Sequence, residues 1–387
     1  MSKPLHCLVS FGTRPEAVKM APLIRALRAR PNLFRVTTLV TAQHREMVDQ
    51  VLQVFDLPVD HDLNLMQPGQ TLPDLTARVI TNVTPVLQAE RPDLVLVQGD
   101  TTTVLASALA AFYEGLTVGH VEAGLRTATL YDPFPEEMNR RLTTRLASLH
   151  FAATSWSADN LAAEGVTQGV YITGNTVIDA LQSVAREDLP LPAGVTEADL
   201  EGRRLLLTTA HRRENLGEPL SDICHALADL ARRHEDVVIV YAMHRNPRVR
   251  ETVQAILGSE PRVVLIEPPD YFLFVGLLRR AALVLTDSGG IQEEAPALGK
   301  PVLVLRRTTE RPEGVDAGTA QLVGTNRAAI VAAASLLLDR PEAYDAMARA
   351  VNPYGDGKAA ERIADAIAYH FQRAPAPRPF GVGRSSA

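Results

Sequence analysis

Three carboxylates follow strand-like segments in the first half of the chain, where they could act together as general acids and bases. Asp100 ends an apolar segment in QGDTTT, Glu122 lies among small residues in GHVEAGLRT, and Glu136 follows PFP. Asp100 could instead cap the next helix, and Glu136 could be an ordinary first-turn acid. Burial and mutual repulsion would raise at least one pKa toward the working range. The three side chains therefore predict a proton-transfer site.

A Ser-Gly-Gly turn in the second half has the features of a phosphate site. It lies within LVLTDSGGIQEEAPALGKPVLVL (283–305), which indicates a strand, a turn, a short helix and a returning strand. A helix that begins after so small a turn presents free N–H groups and the positive end of its dipole. Glu293 and Glu294 fall in the first turn, where a carboxylate could cap the helix or accept the hydroxyls of a ribose. The arginines that follow the return strand favour an anion site over an ordinary crossover turn. They are Arg306, Arg307 and Arg311.

His211 follows the first strand of the second half, in TAHRREN, beside Arg212 and Arg213. A histidine between a strand end and two arginines, facing a carboxylate cluster across a cleft, is better explained as a phosphate contact or an acid than as a structural residue. His244 is a weaker candidate of the same kind. No HExxH or paired-histidine spacing is present, so no metal site is predicted. The GxGxxG and Walker patterns are also absent, which leaves the Ser-Gly-Gly turn and the arginines to bind phosphate.

Short apolar strands alternate with amphipathic helices along the chain, which predicts an α/β fold with doubly wound parallel sheets. The pattern begins with Leu5–Phe11 and restarts after Tyr171–Asn175. We therefore predict two Rossmann-like domains, residues 1–172 and 173–354. Ligand should bind at the carboxyl edges of both sheets, in the central cleft that the domains face.

The C-terminal region is predicted to end in a helix at 355–372 and a disordered tail at 373–387, which is rich in proline and serine. The chain has 387 residues, of which 46% are apolar, enough for two cores. Its net charge of −6 and the lack of a long basic run argue against a nucleic-acid partner. Two isolated cysteines, and the absence of an apolar leader or span, predict a soluble cytoplasmic protein without a membrane partner.

A series of long motifs resembles the bacterial non-hydrolysing UDP-N-acetylglucosamine 2-epimerases. They occur in order over about residues 1–370. They are FGTRPEAVKMAP (11–22), TAQHREM (41–47), QGDTTT (98–103), GHVEAGLRT (119–127), PFPEEMNR (133–140), TGNTVIDA (173–180), TAHRREN (209–215), TDSGGIQEEAPALGKPVLVLR (286–306) and TTERPEG (308–314).

The resemblance implies a GT-B arrangement of two Rossmann-like domains, with the second binding UDP and the C-terminal helix packing back on the first. It also implies a homodimer that uses no metal, no nicotinamide and no other cofactor. The implied reaction is the reversible conversion of UDP-GlcNAc to UDP-ManNAc. The C2 proton is removed and UDP leaves by anti elimination, which gives 2-acetamidoglucal, and UDP then adds back.

The resemblance also implies roles for particular residues. Asp100, Glu122 and Glu136 would be the acid/base carboxylates, with His211 beside them in the catalytic set. The residues facing the sugar and diphosphate would be Arg14, Lys19, Arg140 and His211. Ser288, Gly289 and Gly290 would hold phosphate, Glu294 the ribose, Phe274 the face of the uracil, and Arg311 the nucleotide side.

Some members of the family carry a second, regulatory UDP-GlcNAc beside the active site. Gln43, Arg212 and His244 match residues that contact it. Some members have Gln where this chain has Glu46 and Arg where it has Gly69. These departures remove one cation and add one anion near the expected second ligand.

Three other functions remain open at this stage. One is the same chemistry on a diacetamido or uronic UDP sugar. Another is a GT-B glycosyltransferase, against which the carboxylate set counts because a retaining transferase needs no base at C2. The third is a sugar-nucleotide sensor, which would have no need of the carboxylates.

Overall fold

The structure is a computed structural model that describes residues 3–41, 45–67, 69–131, 133–186 and 188–381. The chain divides into two compact units. Unit 1 comprises Met1–Ala180 and Tyr354–Ala387, and unit 2 comprises Leu181–Pro353. The chain thus leaves unit 1 once and returns to it once.

Unit 1 is built on a parallel sheet. Its described strands are ordered β3-β2-β1-β4-β5-β6-β7, and each pairs with its neighbours in parallel. The strands are nearly all buried, as expected for a parallel sheet covered on both faces. They are β1 (Leu5–Phe11), β2 (Phe34–Val40), β3 (His61–Asp62), β4 (Leu94–Gln98), β5 (Thr117–Ala123), β6 (Leu149–Ala152) and β7 (Val170–Ile172).

Unit 2 is built on a second parallel sheet, with its described strands in the order β10-β9-β8-β11-β12-β13. Both sheets start from an inner strand, extend to one side and then cross back to the other, which is the doubly wound pattern. The predicted α/β class with parallel sheets is confirmed. The strands are β8 (Arg204–Thr209), β9 (Val237–Ala242), β10 (Val263–Ile266), β11 (Ala281–Thr286), β12 (Val302–Val304) and β13 (Ala320–Leu322).

Helices connect the strands in both units, and a 3-10 turn forms at Arg213–Asn215. The helices are α1 (Arg14–Arg28), α2 (Arg45–Val54), α3 (Leu72–Glu90), α4 (Thr102–Tyr113), α5 (Glu136–Leu146), α6 (Ser155–Ala163), α7 (Thr176–Val184), α8 (Glu197–Leu200), α9 (Glu218–Arg233), α10 (Pro247–Leu257), α11 (Tyr271–Arg280), α12 (Gly289–Ala297), α13 (Pro312–Asp316), α14 (Arg327–Asp339), α15 (Pro341–Ala348) and α16 (Ala359–His370).

Alternate residues of the unit 2 strands pack on opposite faces of the sheet, as the two-residue period of a strand requires. Leu206 and Ile239 belong to a cluster with α9 and α14, whereas Leu205 and Leu207 belong to one with α11 and α12. Each strand therefore supplies two cores. This double burial fixes the register of the strands, because a slip by one residue would exchange the two faces.

The C-terminal helix α16 begins at Ala359, four residues later than the predicted start at 355. Gly357 has φ +80°, a left-handed conformation that a helix cannot include. The helix packs against α1, and Arg30 forms an ion pair with Asp365 at 2.5 Å. In the segment predicted as a disordered tail, the Phe380 N–H donates to Ile172 O at 2.8 Å, so this part lies against β7.

Each sheet has a switch point, where the strand order reverses and ligands of such folds usually bind. In unit 1 the switch point lies between β1 and β4, and in unit 2 between β8 and β11. Within the described ranges, no helix is long and apolar enough to cross a membrane.

Candidate active site

The loop after β1 forms one side of the switch point in unit 1. It must begin with glycine, because a Cβ on Gly12 would lie 2.1 Å from Thr41 Oγ1. The buried Glu16 accepts hydrogen bonds from the N–H groups of Gly12 at 2.6 Å and Thr13 at 3.3 Å. This capping arrangement fixes the start of α1. Arg14, the first residue of the helix, is therefore held at the carboxyl edge of the sheet.

Glu122 lies at the end of β5 with φ +64°, a conformation that non-glycine residues rarely adopt. The pairing of β5 with β6 shifts register at this point, between Val121 and Ala123. Lys19 Nζ donates to Glu122 Oε1 at 2.5 Å, and Asn175 Nδ2 donates to the same oxygen at 2.9 Å. The Gln98 amide donates to Oε2. Donors from α1, β4 and the residue before α7 thus hold the carboxylate of a residue with a strained backbone, a combination typical of functional sites.

Asp100 lies beside Glu122, at the end of the loop after β4. Its carboxylate forms an ion pair with Arg140 Nη2 at 2.9 Å. Thr101 rather than Asp100 caps α4, because the Thr101 hydroxyl accepts from Val104 N. Capping therefore does not explain the carboxylate. Asn139 Nδ2 donates to Asp100 O at 2.9 Å and fixes the loop.

Burial raises the pKa of Asp100 above its usual range. Arg140 and Lys19 oppose this effect, whereas Glu122 and Glu136 add to it. A raised pKa is the direction that suits a carboxyl group for general acid or base catalysis. The predicted clustering of the three carboxylates is thus present in unit 1.

Glu136 begins α5 and is half-buried, whereas its neighbour Glu137 is completely buried. Glu137 accepts from Thr127 N at 3.0 Å and from Arg141 Nε at 2.6 Å, which makes it a structural residue. Arg140 is also buried, and its Nη1 has no hydrogen-bond partner among the described residues. An anion bound beside Asp100 would find this donor available.

His211 and Asp287 form the centre of the switch point in unit 2. They follow β8 and β11, which are neighbouring strands. Asp287 is fully buried, and its Oδ2 accepts from the N–H groups of His211 at 2.7 Å and Arg212 at 2.8 Å, and from Asn215 Nδ2 at 2.9 Å. Its Oδ1 lies 3.3 Å from His211 Nδ1. Asp287 therefore fixes the backbone at His211 through Oδ2, whereas Oδ1 faces the ring at ion-pair distance without a hydrogen bond among the described residues.

Burial lowers the pKa of His211, and the Asp287 carboxylate opposes that effect. The His244 ring stacks on His211 at 5.1 Å between centroids, with the planes 9° apart. The carboxylate that faces Nδ1 favours a proton on that nitrogen, and Nε2 is the ring atom left for a ligand. His244 Nδ1 accepts from Asn246 N at 3.1 Å.

The Ser-Gly-Gly turn leads into α12, with Ser288 as the residue that precedes the helix. A Cβ on Gly290 would meet nothing within 4 Å, so this side of the turn is open. A Cβ on Gly289 would instead lie 2.4 Å from Arg311 Nη1. The turn therefore presents its N–H groups beside a buried guanidinium, as an anion site requires.

Two of the three arginines that were predicted to make this edge cationic, Arg306 and Arg311, are paired with acids. Arg311 Nε contacts Glu293 Oε1 at 2.5 Å, and Arg311 Nη1 contacts Glu310 at 2.9 Å. Arg306 contacts Glu310 at 2.6 Å. Burial alone would raise the pKa of Glu310, but the surrounding arginines hold it at about 2. The network orients Arg311 and offsets much of its charge.

Two further predicted contacts lie on neighbouring helices of unit 2. Glu294 belongs to α12, which follows the turn, and Phe274 belongs to α11. Glu294 is buried, and its Oε1 accepts from the Tyr271 hydroxyl at 2.9 Å. Phe274 is partly buried and packs against the core cluster of α11 and α12. The hydroxyl of Tyr271 thus orients the carboxylate that was predicted to contact a ribose.

The residues predicted for a regulatory site are only partly described. Gln43 lies outside the described residues. Arg212 Nη2 contacts Glu310 Oε1 at 3.4 Å, and His244 stacks on His211. These two residues therefore adjoin the candidate site of unit 2.

Several residues of the site did not emerge from the sequence. They are Gln98, Asn139, Asn175, Tyr271 and Asp287. Asp287 and Asn175 each follow a strand, so their position at a carboxyl edge was a usable signal. Across the described ranges, no group of three or more histidine, cysteine, aspartate and glutamate residues could hold a metal ion.

Two doubly wound sheets, each with polar residues at its switch point, are typical of α/β enzymes of GT-B type. The carboxylate cluster lies in unit 1, and the Ser-Gly-Gly turn lies in unit 2. The family model described as UDP-N-acetylglucosamine 2-epimerase matches residues 25–368. The chain belongs to this family of epimerases.

Close relatives agree with this assignment. A UDP-N-acetylglucosamine 2-epimerase of Escherichia coli (strain K12) is 54% identical over 371 residues, which cover 94% of this chain and 98% of the relative. The Neisseria meningitidis enzyme, solved with UDP-GlcNAc bound, is 47% identical with a TM-score of 0.86, covering 94% of this chain and all (100%) of that one. The Methanocaldococcus jannaschii enzyme, solved with UDP-GlcNAc and UDP, is 33% identical with a TM-score of 0.78, at 94% and 100% coverage.

Proposed function

We propose that the protein interconverts UDP-GlcNAc and UDP-ManNAc by epimerisation at C2, and supplies ManNAc for a surface polysaccharide. The observation that carries the proposal is the cluster of Asp100, Glu122, Lys19 and Arg140 at the switch point of unit 1. Relatives solved with UDP-GlcNAc bound support the substrate. The reaction needs no redox step, because the C2 hydrogen leaves and returns as a proton.

The proposed chemistry begins with removal of the C2 proton by one carboxylate of the cluster. The electron pair forms the C1–C2 double bond, and the C1–O bond to UDP breaks, which gives 2-acetamidoglucal. UDP then adds back at C1 while a proton reaches the other face of C2. Because the C2 proton is weakly acidic, the reaction needs a positioned base and stabilisation of the departing diphosphate.

The residues of unit 2 would stabilise the departing diphosphate. The N–H groups of Gly289 and Gly290 and the positive end of α12 suit its charge, whereas the Ser288 N–H already donates to Thr286 Oγ1. Protonated His211 would donate from Nε2, since its Nδ1 faces Asp287. Glu294 would bind the ribose, Phe274 the uracil face, and Arg311 the nucleotide side.

The assay is proton NMR of the enzyme with UDP-GlcNAc in deuterium oxide. We expect UDP-ManNAc to appear with deuterium at C2. The variants Asp100→Asn, Glu122→Gln and Glu136→Gln should lose this exchange and still bind UDP. Asp159→Asn, a change at an exposed carboxylate of α6, is the matched control and should exchange normally.

Two results would contradict the proposal. Full exchange in all three carboxylate variants would remove their assigned roles. No exchange by the wild-type protein, even with both sugars present, would direct attention to a diacetamido or uronic UDP sugar. Transfer of the sugar to an acceptor would support the GT-B glycosyltransferase alternative instead.

We further propose that the protein acts as a homodimer. Helices α4 and α5 pack together and expose apolar side chains, including Tyr113 at 67% and Leu142 at 45% exposure. A second copy would cover this surface. Sedimentation should show a dimer for the wild type and a monomer for Leu142→Glu, and a monomeric wild type would refute the proposal.

A further inference from the structure

Asn175 contacts three different parts of unit 1. Its side-chain Nδ2 donates to Glu122 Oε1 at 2.9 Å, and its Oδ1 accepts from Val177 N at 3.0 Å. Its backbone N–H donates to Tyr354 O at 2.7 Å. The residue is buried, with 3% exposure. One side chain thus joins a carboxylate of the candidate site to the start of α7.

The position of Asn175 in the chain adds to this arrangement. Helix α7 contains the point after Ala180 where the chain passes into unit 2, and Tyr354 is the residue at which it returns. The contact between Val177 N and Asn175 Oδ1 is an N-cap, the interaction that asparagine makes well at the first turn of a helix. Both chain passages are therefore anchored within unit 1 at Asn175.

Glu122 requires such support for a physical reason. Its φ of +64° is strained, and strain of this kind persists only where the surroundings fix the conformation. Lys19 is a single flexible cation on Oε1, whereas the amide of Asn175 is planar and is itself fixed by the cap. The amide therefore restricts the rotation of the carboxylate more than the ammonium group can.

We propose that Asn175 is a positioning residue that orients the Glu122 carboxylate for proton transfer at C2 and ties it to the chain passages between the units. The inference deepens the proposed function, on which it rests. Asn175 acts through Glu122 and does not itself exchange a proton with the sugar.

Two substitutions separate the positioning role from the capping role. Asn175→Ser keeps a good cap residue but removes the amide donor. Asn175→Asp keeps both the size and the cap, and replaces the donor with a second carboxylate beside Glu122. If the residue only capped α7, Asn175→Ser would behave as the wild type.

We expect Asn175→Ser to lower kcat about 10- to 100-fold, because misplacement of a reacting group by about 1 Å can have an effect of that size. KM should change little. UDP binding should also be unchanged, since the proposed UDP site lies in unit 2. Asn175→Asp should lower kcat at least as far.

The two variants should also differ in pH dependence. Lys19 forms an ion pair with Glu122, and Asp100 and His120 interact with it electrostatically. None of these groups is altered in the two variants. A second carboxylate favours the protonated form of the pair. The pH profile of Asn175→Asp should therefore move to higher pH, whether Glu122 serves as the acid or the base. Asn175→Ser should shift it less, because only a donor is lost.

Asn326→Ser is the matched control, because Asn326 also caps a helix through its side chain but is exposed and lies in unit 2. Its kcat and pH profile should equal those of the wild type. Wild-type kcat and an unshifted profile in both Asn175 variants would overturn the inference.

A crystal structure of Asn175→Ser provides a readout that does not depend on turnover. We expect the Glu122 carboxylate to rotate or become disordered while α7 stays in place. An unchanged carboxylate would overturn the inference. If instead the wild type failed to exchange deuterium into UDP-GlcNAc, the proposed function would fail, and this structural comparison would still decide whether Asn175 positions Glu122.

Discussion

The contact between Asp287 and His211 makes Asp287→Asn a test of whether the Asp287 carboxylate stabilises a protonated His211. Three donors converge on Asp287 Oδ2, from the backbones of His211 and Arg212 and from the amide of Asn215. An asparagine must place its oxygen toward these donors. Its NH2 group then faces His211 Nδ1, which must become an acceptor. The substitution would therefore move the imidazole proton from Nδ1 to Nε2.

The size of the effect follows from the change in charge. With aspartate at position 287, a protonated His211 still has an acceptor opposite its Nδ1–H. With asparagine, the NH2 group opposite Nδ1 is a donor, so only the neutral ring with an unprotonated Nδ1 is compatible. A hydrogen bond from a charged donor contributes about 1.5–3 kcal/mol, against about 0.5–1.5 for a neutral one. The loss of about 1.4 kcal/mol of stabilisation of the departing diphosphate corresponds to about a tenfold lower kcat.

A second effect concerns pH. Asp287 opposes the lowering of the His211 pKa by burial, so its removal should lower that pKa further. The limb of the pH profile that depends on protonated His211 should therefore move to lower pH. The measurements are kcat by NMR across the neutral pH range and nitrogen NMR of the histidine tautomer. Glu214→Gln is the control, because Glu214 also favours protonation of His211 but is half-exposed and more strongly screened.

Wild-type kcat and an unchanged pH profile in Asp287→Asn would refute the reasoning about charge. Retention of the Nδ1 proton would refute the reasoning about the tautomer. Asp287→Ala is not suitable for this test, because it leaves three donors unmatched at a buried position. Each such group costs about 1–3 kcal/mol, so the variant should unfold more readily.

Three further predictions concern stability and binding. Burial raises the pKa of Asp179 from 3.8 to about 6, so the folded state favours the protonated carboxyl group. The free energy of unfolding should therefore fall by about 3 kcal/mol as the pH rises from the lower value through the higher one. Asp179→Asn should remove this dependence, as measured by urea titrations at several pH values. Gly124→Ala should cost about 3 kcal/mol or more, because its Cβ would lie 2.1 Å from Ser157 O at φ +92°. Lys19→Met should lower kcat at least tenfold without affecting UDP affinity, measured by calorimetry.

Each of these predictions has a matched control or a contradicting result. Gly165 has φ +80° but nothing within 4 Å of a Cβ, so Gly165→Ala should cost only about 1 kcal/mol. Equal losses for the two glycine variants would contradict the steric explanation. A flat difference in unfolding free energy between Asp179→Asn and wild type over the acid range would contradict the titration of Asp179. Loss of UDP binding in Lys19→Met would place Lys19 in a different role.

The strand positions of Asp100, Glu122, His211 and Ser288 could be predicted because they depend on local pattern. Each follows a short apolar run, and parallel strands bring such residues to one edge of a sheet. The start of α16 was predicted less well, since the left-handed conformation of Gly357 is not visible in the periodicity of the sequence.

The contacts around Glu122 could not be predicted in the same way. Its partners Gln98 and Asn175 are 24 and 53 residues away, and an isolated amide carries no charge pattern or period that would indicate its partner. For the arginines after β12, the sequence showed the charged residues but not their partners. Their charge was visible, but their pairing with Glu293 and Glu310 depends on packing between α12 and the loop that follows β12.

This pairing changes how the anion site of unit 2 should work. A cluster of unpaired arginines would bind the departing diphosphate through net charge, and it would oppose the return of UDP to C1. In the described network, acids already offset the charge of Arg306 and Arg311, so the N–H groups of the turn and the helix dipole would provide much of the attraction. Such fixed dipoles need no reorganisation when the C1–O bond breaks or forms. A reversible elimination benefits from this arrangement, because UDP must be bound well enough to stay and add back.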